Sequence, residues 1–320
     1  MLSRVADNLY WMSRYLERAE HTARLLDVQL GLILESGQEA GDGRWLRLVQ
    51  CLGITAKPPP TEDHSRLIHW LAFDAASRSS IVSAISVARE NARQVREMIS
   101  SEMWEQVNRM YHEARALSAG GYQDRDPQDF LQTVITGSHL FRGLLAATMN
   151  HGEGWQFIRL GRYIERAGLV STLLDVHFRE YLPDGQTEIE QGDHLEWIGL
   201  LKSFTAFEAY CKVYTAELRA GRIAEFLLLN REFPHSVRYA VDNIQIALEK
   251  LPEGASTQGS SRLHRLSGRL QASLNFSQMD EILADGLSTY LADVQRQCIQ
   301  IHHVLHQVYI DYPIETAIEA

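Results

Sequence analysis

Residues 1–33 read MLSRVADNLYWMSRYLERAEHTARLLDVQLGLI. Within them Leu2, Val5, Leu9, Met12, Leu16, Ala19, Ala23, Leu26, Leu30 and Ile33 alternate spacings of three and four. That spacing makes one stripe of a helix apolar over about four heptads. Ser3 or Asp7 offers a cap at its start, and Gly37 a stop past its end. The chain has eight prolines in 320 residues, with none between Met1 and Lys57 or between Thr61 and Asp126. Long proline-free stretches permit long helices.

Working outward, a short helix is predicted near Arg44–Leu52, and apolar residues recur at helical spacing over Ser65–Phe73 and Ser80–Ile99. Lys57-Pro58-Pro59-Pro60-Thr61 reads as an extended loop. Ser101 looks like an N-cap for a helix through Leu117, ended by Gly120-Gly121. Asp126-Pro127 opens a helix to about Asn150, since proline suits the first turn. Gly152 and Gly154 are then expected to break the chain. Further helices are predicted over Trp155–Tyr181 (ended by Pro183-Asp184-Gly185), Asp193–Ala220, Arg222–Leu229, Pro234–Leu251, Ser261–Leu274 and Ser277–Ile310. Pro252–Ser260 reads as a loop. No period-two strand pattern emerges, so the class is all-α.

The opening stretch recurs. Met12-Ser13-Arg14-Tyr15-Leu16-Glu17-Arg18-Ala19 aligns with Leu160-Gly161-Arg162-Tyr163-Ile164-Glu165-Arg166-Ala167 at an offset of 148. From Met12 to Val28, 9 of 17 positions are identical. A weaker match at offset 156 sets Trp70-Leu71-Ala72-Phe73-Asp74 against Phe226-Leu227-Leu228-Leu229-Asn230, and Ser80-Ile81 against Ser236-Val237. Length alone suggests two domains. Two matches in the same order point instead to two pseudo-symmetric helical repeats, about 1–150 and 151–320, packed in one bundle.

Apolar residues are needed to pack a seam, so the repeated polar residues are more informative. Arg14, Glu17 and Arg18 fall at heptad positions f, b and c, off the seam, as do Arg162, Glu165 and Arg166. Three readings stand: Glu–Arg pairs on a wet surface, worth about 0.2–0.5 kcal/mol each; a buried network that fixes register between helices; or a ligand site. A second basic stripe, Arg89, Arg93 and Arg96, shares one helix face and could hold a phosphate or carboxylate. It could equally be a solvated face offset by Glu90 and Glu97.

Composition narrows the class. The net charge is −10, with 16 basic and 18 acidic residues in 1–150 and 15 against 23 in 151–320. No basic footprint for a long nucleic acid is present, while a local basic pocket for a small anion stays open. Of the 31 basic residues 27 are Arg, the side chain suited to bidentate pairing with carboxylate or phosphate. Cys51, Cys211 and Cys298 are few and widely spaced, which points to a reducing cytoplasm and no structural zinc. No segment has 18 uninterrupted apolar residues, so no membrane span is expected. The N-terminus lacks an apolar h-region, so no secretory signal is expected.

No complete catalytic or metal-binding motif is present. There is no Walker A, GxGxxG, GxSxG or HExxH motif. His194-Leu195-Glu196 lacks the cysteine pair of a zinc deaminase. Glu232-Phe233-Pro234-His235 has the order of a di-iron ligand pair, but its proline spoils helical spacing. His302 and His306 could share a metal at i, i+4, with no third ligand evident.

Several stretches resemble the bacterial alpha-E family. They are Leu2-Ser3-Arg4-Val5-Ala6-Asp7-Asn8-Leu9-Tyr10-Trp11 with Arg14-Tyr15-Leu16-Glu17-Arg18-Ala19-Glu20, then Ala88-Arg89-Glu90-Asn91-Ala92-Arg93 with Ser101-Glu102-Met103-Trp104-Glu105 and Asn108, and Phe233-Pro234-His235-Ser236-Val237-Arg238-Tyr239. The family usually has Arg where His235 stands, so an anion contact there would be weaker or pH-dependent. The resemblance implies an all-helical cytoplasmic protein, typically encoded beside a circularly permuted ATP-grasp protein and in some members fused to one. ATP-grasp enzymes join a carboxylate to an amine through an acyl phosphate.

The expectation is therefore a helical partner subunit of an ATP-grasp-type ligase. It docks the ligase and helps bind a small carboxylate or peptide substrate. ATP and Mg are expected on the partner, with no cofactor or metal on this chain. A second copy of the chain is an admissible partner; nucleic acid and membrane are not. Arg14, Arg18, Arg89, Arg93, Arg162, Arg166 and Arg238 are the candidate anion contacts. Glu17 and Glu165 would orient those guanidinium groups or accept a proton from an attacking amine. The alternatives are a stand-alone enzyme using an Arg/Glu cleft and a purely structural adaptor.

Overall fold

The computed structural model describes residues 1–36, 42–60, 64–119, 127–182, 188–254 and 257–311. Among the described residues there are fourteen α-helices and no strand. The first half holds α1 (Ser3–Ser36), α2 (Asp42–Cys51), α3 (His64–Ala72), α4 (Ile81–Gln94), α5 (Ser101–Ala119) and α6 (Pro127–Thr148). The second holds α7 (Glu153–Tyr181), α8 (His194–Ser203), α9 (Phe207–Tyr214), α10 (Ala220–Leu229), α11 (Val237–Glu249), α12 (Thr257–Phe276), α13 (Met279–Asp285) and α14 (Leu287–Tyr309). No helix among the described residues is long and apolar enough to cross a membrane.

The heptad stripe of α1 is the centre of the core. Leu9, Met12, Ala19, Ala23 and Leu26 are completely buried, and Leu160, Ala167 and Leu174 are their equals on α7. α1 packs on α4, α4 on α5, α5 on α6, and α6 returns to α1. α7, α11, α12 and α14 make the same circuit. The two four-helix circuits meet where α1 packs on α7. α3, α4 and α5 begin at residues 64, 81 and 101, and α10, α11 and α12 begin at 220, 237 and 257, a constant offset of 156. The caps correspond as well. Ser80 Oγ accepts from Ser83 N at 3.1 Å and Ser236 Oγ from Tyr239 N at 3.0 Å, each satisfying an otherwise orphaned donor worth about 1 kcal/mol. The short helices cross over: α2 lies on α7, and α8 lies on α1.

Some predicted boundaries move. The helix expected to run to Ile99 stops at Gln94, followed by a 3-10 turn over Arg96–Met98 that leaves Val95 fully buried. Ser100, not Ser101, caps α5, its Oγ accepting from Met103 N. Gly154 does not break the chain; it lies in the first turn of α7, where a Cβ would approach the Leu9 side chain to 3.1 Å.

The single helix predicted over 193–220 is two. Thr205 takes a positive φ of 53° and Ala206 N reaches back to Leu201 O, a Schellman-type stop closed by threonine. Burial of Phe204 and Ala206 outweighs that local preference. α11 begins at Val237 rather than Pro234, and α12 at Thr257 rather than Ser261. Gly286, at φ 103°, splits the last predicted helix into α13 and α14. Gly37, Gly120-Gly121, Thr61, Asp126, Pro183-Asp184-Gly185 and part of the predicted 252–260 loop lie outside the described residues.

Candidate functional site

α7 meets α1 at Gly161, which faces Tyr10 and Ser13 and stands 148 positions after Ser13. A Cβ on Gly161 would lie 2.2 Å from Tyr10 O and 2.3 Å from Ser13 Oγ, so only glycine allows this contact. Around it the repeated charges pair between the two helices. Arg14 Nε donates to Glu165 Oε2 at 2.7 Å, and Arg18 Nε to Glu165 Oε1 at 2.7 Å. Both Nη2 atoms add ion pairs to the same carboxylate at 2.6 and 2.7 Å. In the opposite direction Arg166 Nε donates to Glu17 Oε1 at 2.5 Å.

The pairing is not fully reciprocal. Arg162, the counterpart of Arg14 at offset 148, does not reach Glu17. Its Nη2 donates to Tyr163 Oη at 2.8 Å, its guanidinium lies 4.5 Å from that ring centroid, and its Nε is buried without a partner. Burial pushes its pKa down. Arg142 of α6 comes to Glu17 instead, at 3.6 Å.

The two sides of the crossing enclose different spaces. On the Glu165 side a cavity of about 550 Å³ opens, with Arg14, Arg18, Arg78, Gly168, Cys298 and His302 in its wall. On the Glu17 side the hollow holds about 10 Å³. Its lining residues are largely the counterparts of the first at offsets 148 and 156. Glu20 stands where the open side has Gly168, Arg24 where it has Thr172, and His235 where it has Ser79. Glu20 is buried and receives Arg142 Nη2 at 2.9 Å, Arg24 Nη2 at 2.9 Å and His139 at 3.2 Å. A side-chain carboxylate with its own cations thus fills one hollow, and a glycine leaves the other empty.

Charge states follow from these contacts. Burial opposes ionisation of Glu165, but the charges and hydrogen bonds of Arg14 and Arg18 outweigh it and lower its pKa. Burial also opposes ionisation of Glu20, yet the hydrogen bonds from His139 and Arg142 hold its carboxyl well below the usual range. Arg14 cannot accept a hydrogen bond. Its Nη1 lies 3.3 Å from His302 Nδ1 and donates to Tyr10 Oη at 3.2 Å, and Tyr10 Oη lies 2.8 Å from the same Nδ1. Nδ1 is therefore the acceptor and Nε2 carries the ring proton. Burial and Arg14 pull the His302 pKa to about 3. Burial lowers that of His235 strongly as well, so His235 is neutral and adds no cation to the filled hollow.

Of the other predicted residues, Arg238 sits at the start of α11 with Nη1 3.4 Å from Leu229 O and Nε buried without a partner. Arg89 donates to Asn108 and lies 4.5 Å from the Tyr111 ring centroid, and exposed Arg93 pairs with Glu90 on its own helix. Neither lines the open cavity. His302 and His306 contact each other ring to ring at 4.5 Å between centroids. Among the described residues no three His, Cys, Asp or Glu side chains group as a metal site. Sequence reasoning missed Glu20, Arg78, Arg142, Gly168 and the part His302 plays with Tyr10. The signal was present for one pair: Glu20 aligns with Gly168 inside the repeat, as a mismatch.

The family described as Alpha-E, "a predicted alpha-helical domain with a conserved ER motif", matches residues 1–310. The Glu-Arg pairs of this chain, Glu17-Arg18 and Glu165-Arg166, are the residues that meet at the α1–α7 crossing. An uncharacterized protein of Mycobacterium bovis is 24% identical over 321 residues, covering 91% of this chain and 34% of its own length. Uncharacterized proteins of two Mycobacterium tuberculosis strains match with the same identity and coverage. The chain thus spans about a third of the length of the curated relatives it matches. No solved structure matches the chain. On the match across 1–310, this chain belongs to the Alpha-E family.

Proposed function

We propose that this chain is the helical partner subunit of an ATP-grasp-type carboxylate–amine ligase system, docking the ligase and holding an acid-bearing substrate. The observation that carries the reading is an open cavity whose groups are arranged to bind rather than to react. Glu165 has both oxygens occupied by guanidinium donors and stays ionised, so it orients Arg14 and Arg18. Burial pushes the Cys298 thiol up to about 12, which leaves no thiolate nucleophile at neutral pH. His302 is neutral, with Nδ1 engaged by Tyr10 and Arg14. A stand-alone acid–base enzyme needs a carboxyl raised toward neutrality, and Glu165 is shifted the other way.

The lengths of the mycobacterial relatives support the partnership. About two thirds of each lies beyond the matched stretch, so this helical unit occurs within longer polypeptides. The matching circuits and the constant helix offset support descent of both halves from one duplicated unit.

The test is co-expression of the full chain with a tagged ATP-grasp protein encoded beside it. The expected result is a stable complex, with ATP turnover that rises when this chain is added. Two separate species and unchanged turnover would overturn the partnership.

A further inference from the structure

The open cavity and the filled hollow lie at matching places on either side of one helix crossing, and the filled one shows what its shape accepts. There the Glu20 carboxylate sits beside the Glu17–Arg166 pair and takes hydrogen bonds from Arg142 and Arg24. Across the crossing the Glu165–Arg18 pair is retained, but Gly168 supplies no side chain. A Cβ at Gly168 would meet nothing within 4 Å. The space is therefore not closed by neighbours moving in. It is large enough for a ligand, since small-molecule pockets run from about 300 to 1,000 Å³.

Its wall also has bonding capacity to spare. Arg18 uses Nε and Nη2 on Glu165 and has no hydrogen bond at Nη1 among the described residues. Arg78 lines the same cavity, is exposed, and has no carboxylate partner among the described residues. Arg14, Arg18 and Arg78 against the single carboxylate of Glu165 leave the wall net positive. Each remaining guanidinium edge presents the planar donor fork that a carboxylate matches. The filled hollow, by contrast, carries a second carboxylate of its own.

We propose that the cavity binds a small free carboxylate, of amino-acid or dicarboxylate size, whose carboxylate group takes beside Arg18 the place that Glu20 takes beside Arg166. The ligand completes the half of the crossing that the chain leaves incomplete. Thr172 and Ser79, which stand where the other side has Arg24 and His235, leave room for the rest of the molecule. The assignment rests on the cavity being the substrate site of the proposed ligase system, and names the substrate class.

Isothermal titration of the isolated full chain with succinate, l-glutamate and inorganic phosphate tests it. At least one of the two carboxylates is expected to bind saturably. Arg78→Ala should weaken that binding about tenfold, the loss of one charge-assisted contact. Gly168→Glu, which supplies a carboxylate from the chain itself, should abolish binding without lowering the melting temperature. Should Gly168→Glu fail to fold, Arg78→Ala still decides, because that side chain is exposed and has no carboxylate partner among the described residues. No saturable binding of either carboxylate up to roughly 10 mM would overturn the proposal. So would binding unchanged by both variants, or binding of phosphate alone. The titration needs no ligase, so its failure leaves a co-purified complex standing, and a lost complex leaves carboxylate binding standing.

Discussion

Glu165 and Glu17 occupy equivalent places on two helices that cross at a glycine, yet their surroundings differ. Glu165 holds Arg14 and Arg18, one from each end of the same repeated motif, and faces open space. Glu17 holds Arg166, loses Arg162 to Tyr163, and is backed by Glu20, Arg142 and His139. The identical residues of the two repeats build the frame. The residues that differ, Gly168 against Glu20 above all, decide whether the frame encloses an open cavity. Where two stretches of one chain align, the matched positions locate the crossing and the mismatched ones set its two sides apart.

Removing Glu165 should do the most damage. Glu165→Ala strands mostly buried Arg14 and half-buried Arg18, which costs about 4 kcal/mol, and Glu17→Ala should cost less because Arg166 keeps its hydrogen bond to Pro234 O and Arg142 retains Glu20. Urea unfolding of both variants checks the order, and a larger loss for Glu17→Ala would break the comparison. Gly161→Ala comes next at about 3 kcal/mol, because its Cβ would meet the Tyr10 backbone and the helices must separate. A neutral Gly161→Ala would mean that the crossing is not a backbone contact.

Acid should act on both sides at once. His21 at the filled hollow is lowered to about 4 by burial, His302 in the open cavity to about 3, and His177 to about 3. Each is neutral when folded and takes up a proton near its ordinary pKa when unfolded. Stability is therefore full above about pH 6.5 and falls as pH drops from there toward the folded values, by roughly 2 kcal/mol at pH 5 for each of the buried His21 and His177 and by less for half-exposed His302. The lowered Glu20 and Glu165 extend the loss below the carboxylate range, since their pairs vanish as pH falls through their folded pKa values. A melting temperature that stays flat from pH 7 to 5 would contradict buried neutral histidines. The smallest effect has the opposite sign: Gly168→Ala should stabilise by about 0.5–1 kcal/mol, because a Cβ there enters open space and alanine favours the helix. Thermal melts of the two glycine variants side by side sharpen the contrast between a glycine required by contact and a glycine that leaves a vacancy.

The long helices were legible because their information is local. The heptad stripe of α1, Pro127 at the first turn of α6 and the stop after Tyr181 follow from spacing and backbone chemistry. The splits in the second half were not, because Thr205 and Thr215 take positive φ where nothing in their side chains asks for it. Gly286 is visible in the sequence, and its φ of 103° separates α13 from α14. Within the site, pairing of the repeated Arg and Glu residues between helices was inferable from their recurrence off the apolar stripe. Arg78 and Arg142 were not, since they lie in other helices or loops and reach the crossing only through the fold. Arg89 and Arg93 share one helix face, yet Arg89 turns to Asn108 of α5 and Arg93 to Glu90 on its own helix, and neither lines the open cavity.

The crossover of the short helices has a consequence for how the molecule can be divided. Because α2 covers α7 and α8 covers α1, cutting the connection near Gly152 would not release two finished halves. Each fragment would present a long helix missing its neighbour while carrying the short helix that fits the other's. Such fragments have a reason to find each other, and a chain severed there should behave as a self-assembling pair, its reunion reporting on whatever is attached to the new ends.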